Sequence, residues 1–200
     1  MSNNPWIAKG GVQGEEYDAK FEELADAGED VHGEASFVES LSPRSVLDAG
    51  CGTGRVAIEL SRRGIDVVGV DLDPKMLSSA QTKAPQMDWR LGDLATVDLG
   101  RRFDVVVMAG NVMIFLEAGT EAAAIANMER HLAPGGSLVA GFQIGLRRFP
   151  GGNPLTLATY DESAAQAGLE LSERWATWDR QPFVEGGDYA VSVHRRRTAP

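Results

Sequence analysis

Val46-Leu47-Asp48-Ala49-Gly50-Cys51-Gly52-Thr53-Gly54 runs a short apolar strand, Ser45 to Ala49, into a turn with glycine at every second position. A helix follows over Thr53 to Arg63, with Val56, Ala57 and Leu60 facing inward. Arg62 and Arg63 suit the negative end of its dipole, and Gly64 suits its stop. A strand that is apolar throughout is buried on both faces, and one that feeds straight into a helix belongs to a parallel α/β sheet. Glycines let the backbone turn sharply there and let a ligand come close to the main chain.

The same rhythm continues downstream. Asp66 to Val70 reads as a second strand, and Asp73-Pro74 opens the next helix as an N-cap followed by proline at the first helical position. Met87 to Leu91 reads as a third strand that ends at Gly92-Asp93, and Phe103 to Met108 as a fourth. A helix is expected from about Glu117 to Leu132, then a Pro134-Gly135-Gly136 turn into a fifth strand, Ser137 to Phe142. Right-handed crossovers put the strand C-terminal ends along one edge, where ligands bind near the reversal of strand order.

The flanks read differently. Residues 1–14 are polar and Gly-rich and are expected to be mobile. Glu15 to Ala27 reads as a helix with Tyr17, Phe21 and Leu24 on one face, and Gly33 to Leu41 as a second, ended by Ser42-Pro43. After Phe142, Gln143 to Leu157 is rich in Gly, Pro and Arg and reads as a loop, and Asp161 to Gly168 as a short helix. Leu169 to Trp178 and Tyr189 to Arg195 form an expected antiparallel hairpin around Gly186-Gly187.

Composition narrows the function. The 200 residues are near the size of one domain, with 43% apolar and 24% charged residues as in a globular protein. No window approaches the ~18 apolar residues of a membrane helix, and Met1 to Gly10 has no signal-peptide pattern. A cytoplasmic protein without a membrane partner is expected. Cys51 is the only cysteine, so no internal disulfide and no Cys-rich zinc site can form. His32, His131 and His194 have no metal-ligand spacing, and no metal is expected. A net charge of −10 argues against broad nucleic-acid binding.

Two cofactor classes use a glycine turn of this kind. Dinucleotides want G-x-G-x-x-G, whereas Gly50, Gly52 and Gly54 give G-x-G-x-G. The second strand ends in Asp71, 21 residues after Gly50. A carboxylate there accepts only, and it matches the two hydroxyl donors of a ribose in either class. Asp93, ending the third strand, can accept from an adenine amino group or cap its own turn.

Taken together, these residues resemble the class I S-adenosylmethionine-dependent methyltransferases over about Ser45 to Phe142. The matching motifs are V-L-D-A-G-C-G-T-G at 46–54, V-G-V-D at 68–71, G-D-L at 92–94, and F-D-V-V-V at 103–107 with L-A-P-G-G-S-L at 132–138. The resemblance implies a three-layer Rossmann-like α/β fold with a seven-stranded, mostly parallel sheet. Its strand order is 3-2-1-4-5-7-6, with strand seven antiparallel. It implies one domain over residues 1–200: an N-terminal helical lid over 1–42, a cofactor-binding core over 43–142, and a loop, short helix and hairpin over 143–200.

The implied cofactor is S-adenosyl-L-methionine, with S-adenosyl-L-homocysteine as product. By this resemblance Gly50 offers its carbonyl to the methionyl ammonium, in a loop completed by Gly52 and Gly54. Asp71 holds the ribose hydroxyls, and Leu72 and Met76 pack around the adenine. Asp93 takes the adenine amino group, with the Leu94 amide close by. Ala109, Gly110 and Asn111 line the pocket near the sulfonium. Asp48 orders the glycine loop or makes a purely structural hydrogen bond. Met76 equally suits plain core, and Cys51 is read as a packing residue. Tyr17 and Phe21 either form a lid over the cofactor or only dock their helix. Asp30 to Glu34 stands near the expected mouth, with His32 as a candidate base; no catalytic base is otherwise assigned.

The acceptor is narrowed by what the motifs lack. Amino methylation of nucleobases or glutamine typically uses Asn-Pro-Pro-aromatic after strand four, where this chain reads Asn111-Val112-Met113-Ile114. Pyrimidine C5 methylation needs a cysteine nucleophile, and Cys51 lies in the wrong motif. A small-molecule acceptor is therefore expected. Arg147 and Arg148 either bind an anionic acceptor or are solvated. The rivals are a nicotinamide-dependent oxidoreductase, an aminopropyl transferase, and a non-catalytic cofactor-binding module or partner subunit.

Overall fold

A computed structural model describes residues 4–8, 14–145 and 152–196. Within them seven strands form one sheet: β1 (Ser45–Ala49), β2 (Asp66–Asp71), β3 (Asp88–Leu91), β4 (Phe103–Met108), β5 (Leu132–Gln143), β6 (Leu169–Trp175) and β7 (Tyr189–Arg196). Their order is β3-β2-β1-β4-β5-β7-β6. Strands β1 to β5 pair in parallel, and β7 is antiparallel to both β5 and β6. The expected order and the antiparallel seventh strand are both present.

The helices are α1 (Pro5–Ala8), α2 (Gly14–Asp26), α3 (Gly33–Glu39), α4 (Arg55–Arg62), α5 (Pro74–Lys83), α6 (Glu121–Arg130) and α7 (Leu157–Gln166), with a 3-10 turn over Val112–Phe115. They cover both faces of the sheet. On one face Phe37 and Val38 of α3 and Val56, Ala57 and Leu60 of α4 pack on Val46, Val105, Val107 and Val139. On the other, Ile125 and Met128 of α6 and Tyr160 and Ala164 of α7 pack on Leu47, Val106, Met108, Leu138 and Phe142. Successive strand residues go to opposite faces, which is why these strands are apolar without alternation.

Several boundaries differ from expectation. α6 begins at Glu121, after a turn closed by Thr120 N–H on the Glu117 carbonyl (3.0 Å). β5 begins at Leu132 because Leu132 pairs with Phe103; the register then shifts before Val105 pairs with Ser137. α7 begins at Leu157, where the Thr156 hydroxyl caps it by accepting from Thr159 N–H (3.1 Å). The expected N-cap at Asp73 is present, with Oδ1 accepting from Lys75 N–H (2.9 Å).

The expectation that residues 1–14 are mobile is corrected for residues 4–8. Asn4 is 7% exposed, and its Oδ1 accepts from Trp6 N–H (2.9 Å) and Ile7 N–H (3.3 Å). Those two bonds satisfy donors that a helix start otherwise leaves without partners.

Candidate cofactor site

Strand order reverses at β1, with β2 on one side and β4 on the other. The glycine turn leaves β1 there and is pinned to the end of β2. Gly50 N–H (2.8 Å) and Cys51 N–H (2.9 Å) both donate to the Val70 carbonyl, and Gly52 N–H donates to Asp71 Oδ2 (2.7 Å). Asp71 Oδ1 accepts from Asp73 N–H (2.8 Å). Burial pushes the Asp71 carboxyl above its ordinary range, and the backbone donors of Asp73 and Gly52 oppose that rise.

The turn needs glycine for two separate reasons. Gly50 has φ +83°, and a Cβ there would lie 2.5 Å from Val112 Cγ2. Gly54 also has φ +83°, but a Cβ there would lie 2.6 Å from the Trp89 ring. Gly50 therefore lets the loop after β4 approach, while Gly54 lets the start of α4 pack beside β3.

A cleft of about 960 Å3, counted with its open mouth, crosses the C-terminal ends of β2, β1 and β4. Among the sequence candidates it is lined by Asp48, Gly50, Gly52, Asp71, Leu72, Met76, Asp93, Leu94, Ala109 and Gly110. Gly54 and Asn111 are not on its wall. Asn111, at φ +70°, accepts Gln143 N–H on Oδ1 (2.7 Å) and donates its own N–H to the Gly141 carbonyl (3.2 Å). It ties the end of β4 to β5. The Tyr17 side chain, Arg147 and Arg148 lie outside the described residues. Asp93 caps its own turn, with Oδ1 accepting from Ala95 N–H (2.8 Å), and it also lines the cleft. Cys51 also lines the cleft, but burial and then the charges of Asp48 and Asp71 push its thiol well above the ordinary value. A thiol kept protonated is a packing group, not a nucleophile.

On the cleft floor Asp48 is buried, with Oδ2 accepting from Ala57 N–H (3.1 Å). Burial raises its carboxyl to about 7, against the lowering effect of the Arg55 charge and the Ala57 N–H. Arg55 was not among the sequence candidates, although it lines the cleft as the first residue of α4. Its guanidinium forks onto Glu34 (2.9 and 2.5 Å), donates to the Val31 carbonyl, and lies 4.2 Å from the Phe21 ring centroid. Phe21 thus packs on the Arg55 guanidinium and is not on the cleft wall. His32 occupies the N-cap position of α3 without capping it by its side chain.

The cover over the cleft comes from an earlier segment. Trp6 Nε1 donates to Asp73 Oδ2 (3.0 Å), and its ring meets Phe115 edge-on at 5.5 Å. Asn4 Nδ2 donates to the Phe115 carbonyl (2.9 Å). Residues 4–8 therefore strap the turn after β2 to the turn after β4. The available signal was Asn4-Pro5, the polar residue and proline that start many helices; the mainly polar composition around it concealed it.

Comparison with known proteins fits this geometry. Residues 46–136 match the family described as "Methyltransferase domain". A TehB-like SAM-dependent methyltransferase from Corynebacterium glutamicum is 38% identical, with TM-score 0.82 over 92% of this chain and 98% of that one. A magnesium-protoporphyrin O-methyltransferase from Rhodobacter capsulatus is 38% identical over 82 residues, 38% of this chain and 36% of that protein. A dTDP-3-amino-3,4,6-trideoxy-alpha-D-glucopyranose N,N-dimethyltransferase from Streptomyces venezuelae is 32% identical over 130 residues, 64% of this chain and 51% of that protein. The chain spans about half or less of the length of these two curated relatives.

Proposed function

The chain belongs to the class I S-adenosylmethionine-dependent methyltransferases, and on that premise we propose that it transfers the methyl group of this cofactor to a small-molecule acceptor. The observation that carries the cofactor assignment is the setting of Asp71. Each carboxylate oxygen accepts one backbone N–H, from Gly52 and from Asp73, inside the cleft. A carboxylate oxygen has a second lone pair, so one acceptor on each remains for a ribose hydroxyl.

The remaining residues fit the same ligand. Leu72 and Met76 offer apolar surface to an adenine, and Asp93 and the Leu94 N–H offer an acceptor and a donor beside it. Ala109 and Gly110 leave room where the sulfonium end would lie. When bound, S-adenosylmethionine supplies an electrophilic methyl group. The protein's part is to fix the acceptor in line with it and to exclude water, and the Trp6 strap supports the second task.

A small acceptor is supported by the names of the relatives, which act on an amino sugar nucleotide and on magnesium-protoporphyrin. Asn111 adds to this: it does not line the cleft, and its side-chain oxygen is turned to Gln143 N–H. In this reading the transfer needs no metal ion, the acceptor is not a nucleic acid because a net charge of −10 repels phosphates, and the protein works in the cytoplasm.

The test is a thermal-shift assay. S-adenosylhomocysteine is expected to raise the melting temperature by mass action, and NADH is expected to leave it unchanged. Protection by NADH alone would overturn the assignment. The strap gives a second expectation. Trp6→Phe keeps an aromatic ring against Phe115 and loses the bond to Asp73. S-adenosylhomocysteine affinity should then fall by about 0.5–1.5 kcal/mol, measured by titration calorimetry. An unchanged affinity would mean that the strap does not close on the cofactor.

A further inference from the structure

Gln143 is the last residue of β5, on the sheet edge that carries the cleft. It is 2% exposed, yet neither Oε1 nor Nε2 has a hydrogen-bond partner among the described residues. Buried amides are ordinarily paired, and an unpaired one loses its hydration with nothing in return. An apolar residue would fill this position without that penalty. A glutamine here therefore needs a reason outside the chain's own packing.

Its surroundings suggest one. The Gln143 N–H is held by Asn111, which directly follows the cleft-lining Ala109 and Gly110. Tyr189 is its direct cross-strand neighbour. Two residues earlier on the same face is Gly141, where a Cβ would fall 2.2 Å from the Trp178 ring and 2.8 Å from the Tyr189 hydroxyl. Trp178 Nε1 donates to that hydroxyl (3.1 Å). The Trp178 Cβ lies 3.6 Å from where a Cβ on Gly33 would be, and Gly33 adjoins His32. His32 Nδ1 is also buried without a partner among the described residues. Gln143 and His32 thus each carry buried polar atoms, unpartnered among the described residues, near the Trp178–Tyr189 pair. None of these residues lines the cofactor cleft itself, and Gln143 is joined to the end of the cleft wall at Ala109 and Gly110 through Asn111.

We propose that Gln143 recognises the methyl acceptor, its amide pairing with a neutral group that donates and accepts hydrogen bonds side by side, such as a carboxamide or an amino alcohol. His32 supplies a further polar contact, and Trp178 with Tyr189 forms the apolar wall. The inference rests on the methyltransferase reading, since it takes the neighbouring cleft to hold the methyl donor.

Acetamide is the simplest probe with that donor–acceptor pair, and acetone is its counterpart without the donor. Each is titrated into the protein saturated with S-adenosylhomocysteine, and the Trp178 indole N–H and Gln143 side-chain NH2 resonances are followed by NMR. Acetamide is expected to shift both saturably, and acetone to bind about 5- to 10-fold more weakly, the effect of one hydrogen bond. Gln143→Met keeps the length without the polar atoms, and Gln143→Glu keeps the shape but replaces the donor. Both should lose acetamide binding at Trp178 by at least about fivefold while binding S-adenosylhomocysteine within about twofold of the native protein. The glutamate variant carries the test if the methionine variant does not fold. No saturable shift in the native protein, or equal binding by the variants, overturns the proposal. So does a matching loss of S-adenosylhomocysteine affinity, which would make Gln143 a support of the cofactor site. Failure of the native protein to bind S-adenosylhomocysteine would instead remove the methyltransferase reading itself.

Discussion

Asp48→Asn is expected to stabilise the ligand-free protein by about 2–4 kcal/mol at pH 8 and by little at pH 4. Burial, the chief cause, raises the Asp48 carboxyl to about 7 in the folded chain, against 3.8 for a free side chain. Between those values the folded state holds a proton that the unfolded state has released. Stability contributed by this group is therefore full below about 3.8 and is lost as pH rises through about 7. The whole interval corresponds to about 4 kcal/mol. Asparagine cannot ionise, so it avoids that loss, and it keeps an oxygen for Ala57 N–H. The attraction to Arg55 is already contained in that value, and in the variant Arg55 retains its fork onto Glu34. Urea unfolding of both proteins from pH 4 to 8 checks the sign. A difference that does not grow with pH would mean that Asp48 is not held protonated by the fold.

Asp48 also shows how far sequence reaches. Its place before the glycine turn is visible in the motif, and so is its candidacy for the cleft. Its charge state is not visible, because that depends on α4 closing over it and on Arg55 and Glu34 arriving from separate helices. The sheet was legible for the opposite reason. β1, β2, β4 and the later part of β5 are local apolar runs, and the glycine turn fixes which residues reach the edge. Gly54 and Asn111 carry the residue types of a site but do not line the cleft: Gly54 stands against Trp89, and Asn111 is hydrogen-bonded to Gln143. Trp6 is the converse: its contacts with Asp73 and Phe115 are 67 and 109 positions away, and no local pattern announces them. The α7 start was missed because Thr156 caps it through a hydroxyl, a weaker signal than Asp73-Pro74.

Asp71→Asn is expected to weaken S-adenosylhomocysteine binding by about 1.5–3 kcal/mol, roughly 10- to 150-fold in the dissociation constant. The native carboxylate accepts from Gly52 N–H and Asp73 N–H and keeps one acceptor on each oxygen. Asparagine replaces one oxygen with a donor. That NH2 must face one of the two backbone N–H groups, so part of the glycine-turn anchor is lost along with a ribose partner and the charge assistance. The anchor and the ribose contact can be separated with a second ligand. The 2′-deoxy analogue should bind the native protein more weakly, and it should suffer less from the mutation, because the partner for that hydroxyl is already missing. Loss of the anchor penalises both ligands alike and cancels in the difference. The remaining coupling belongs to Asp71 and the hydroxyl, since groups not in contact give additive effects. Titration calorimetry of both ligands against both proteins measures it. Equal penalties would leave Asp71 as a pin for the glycine turn only, and the ribose would have to lie elsewhere in the cleft.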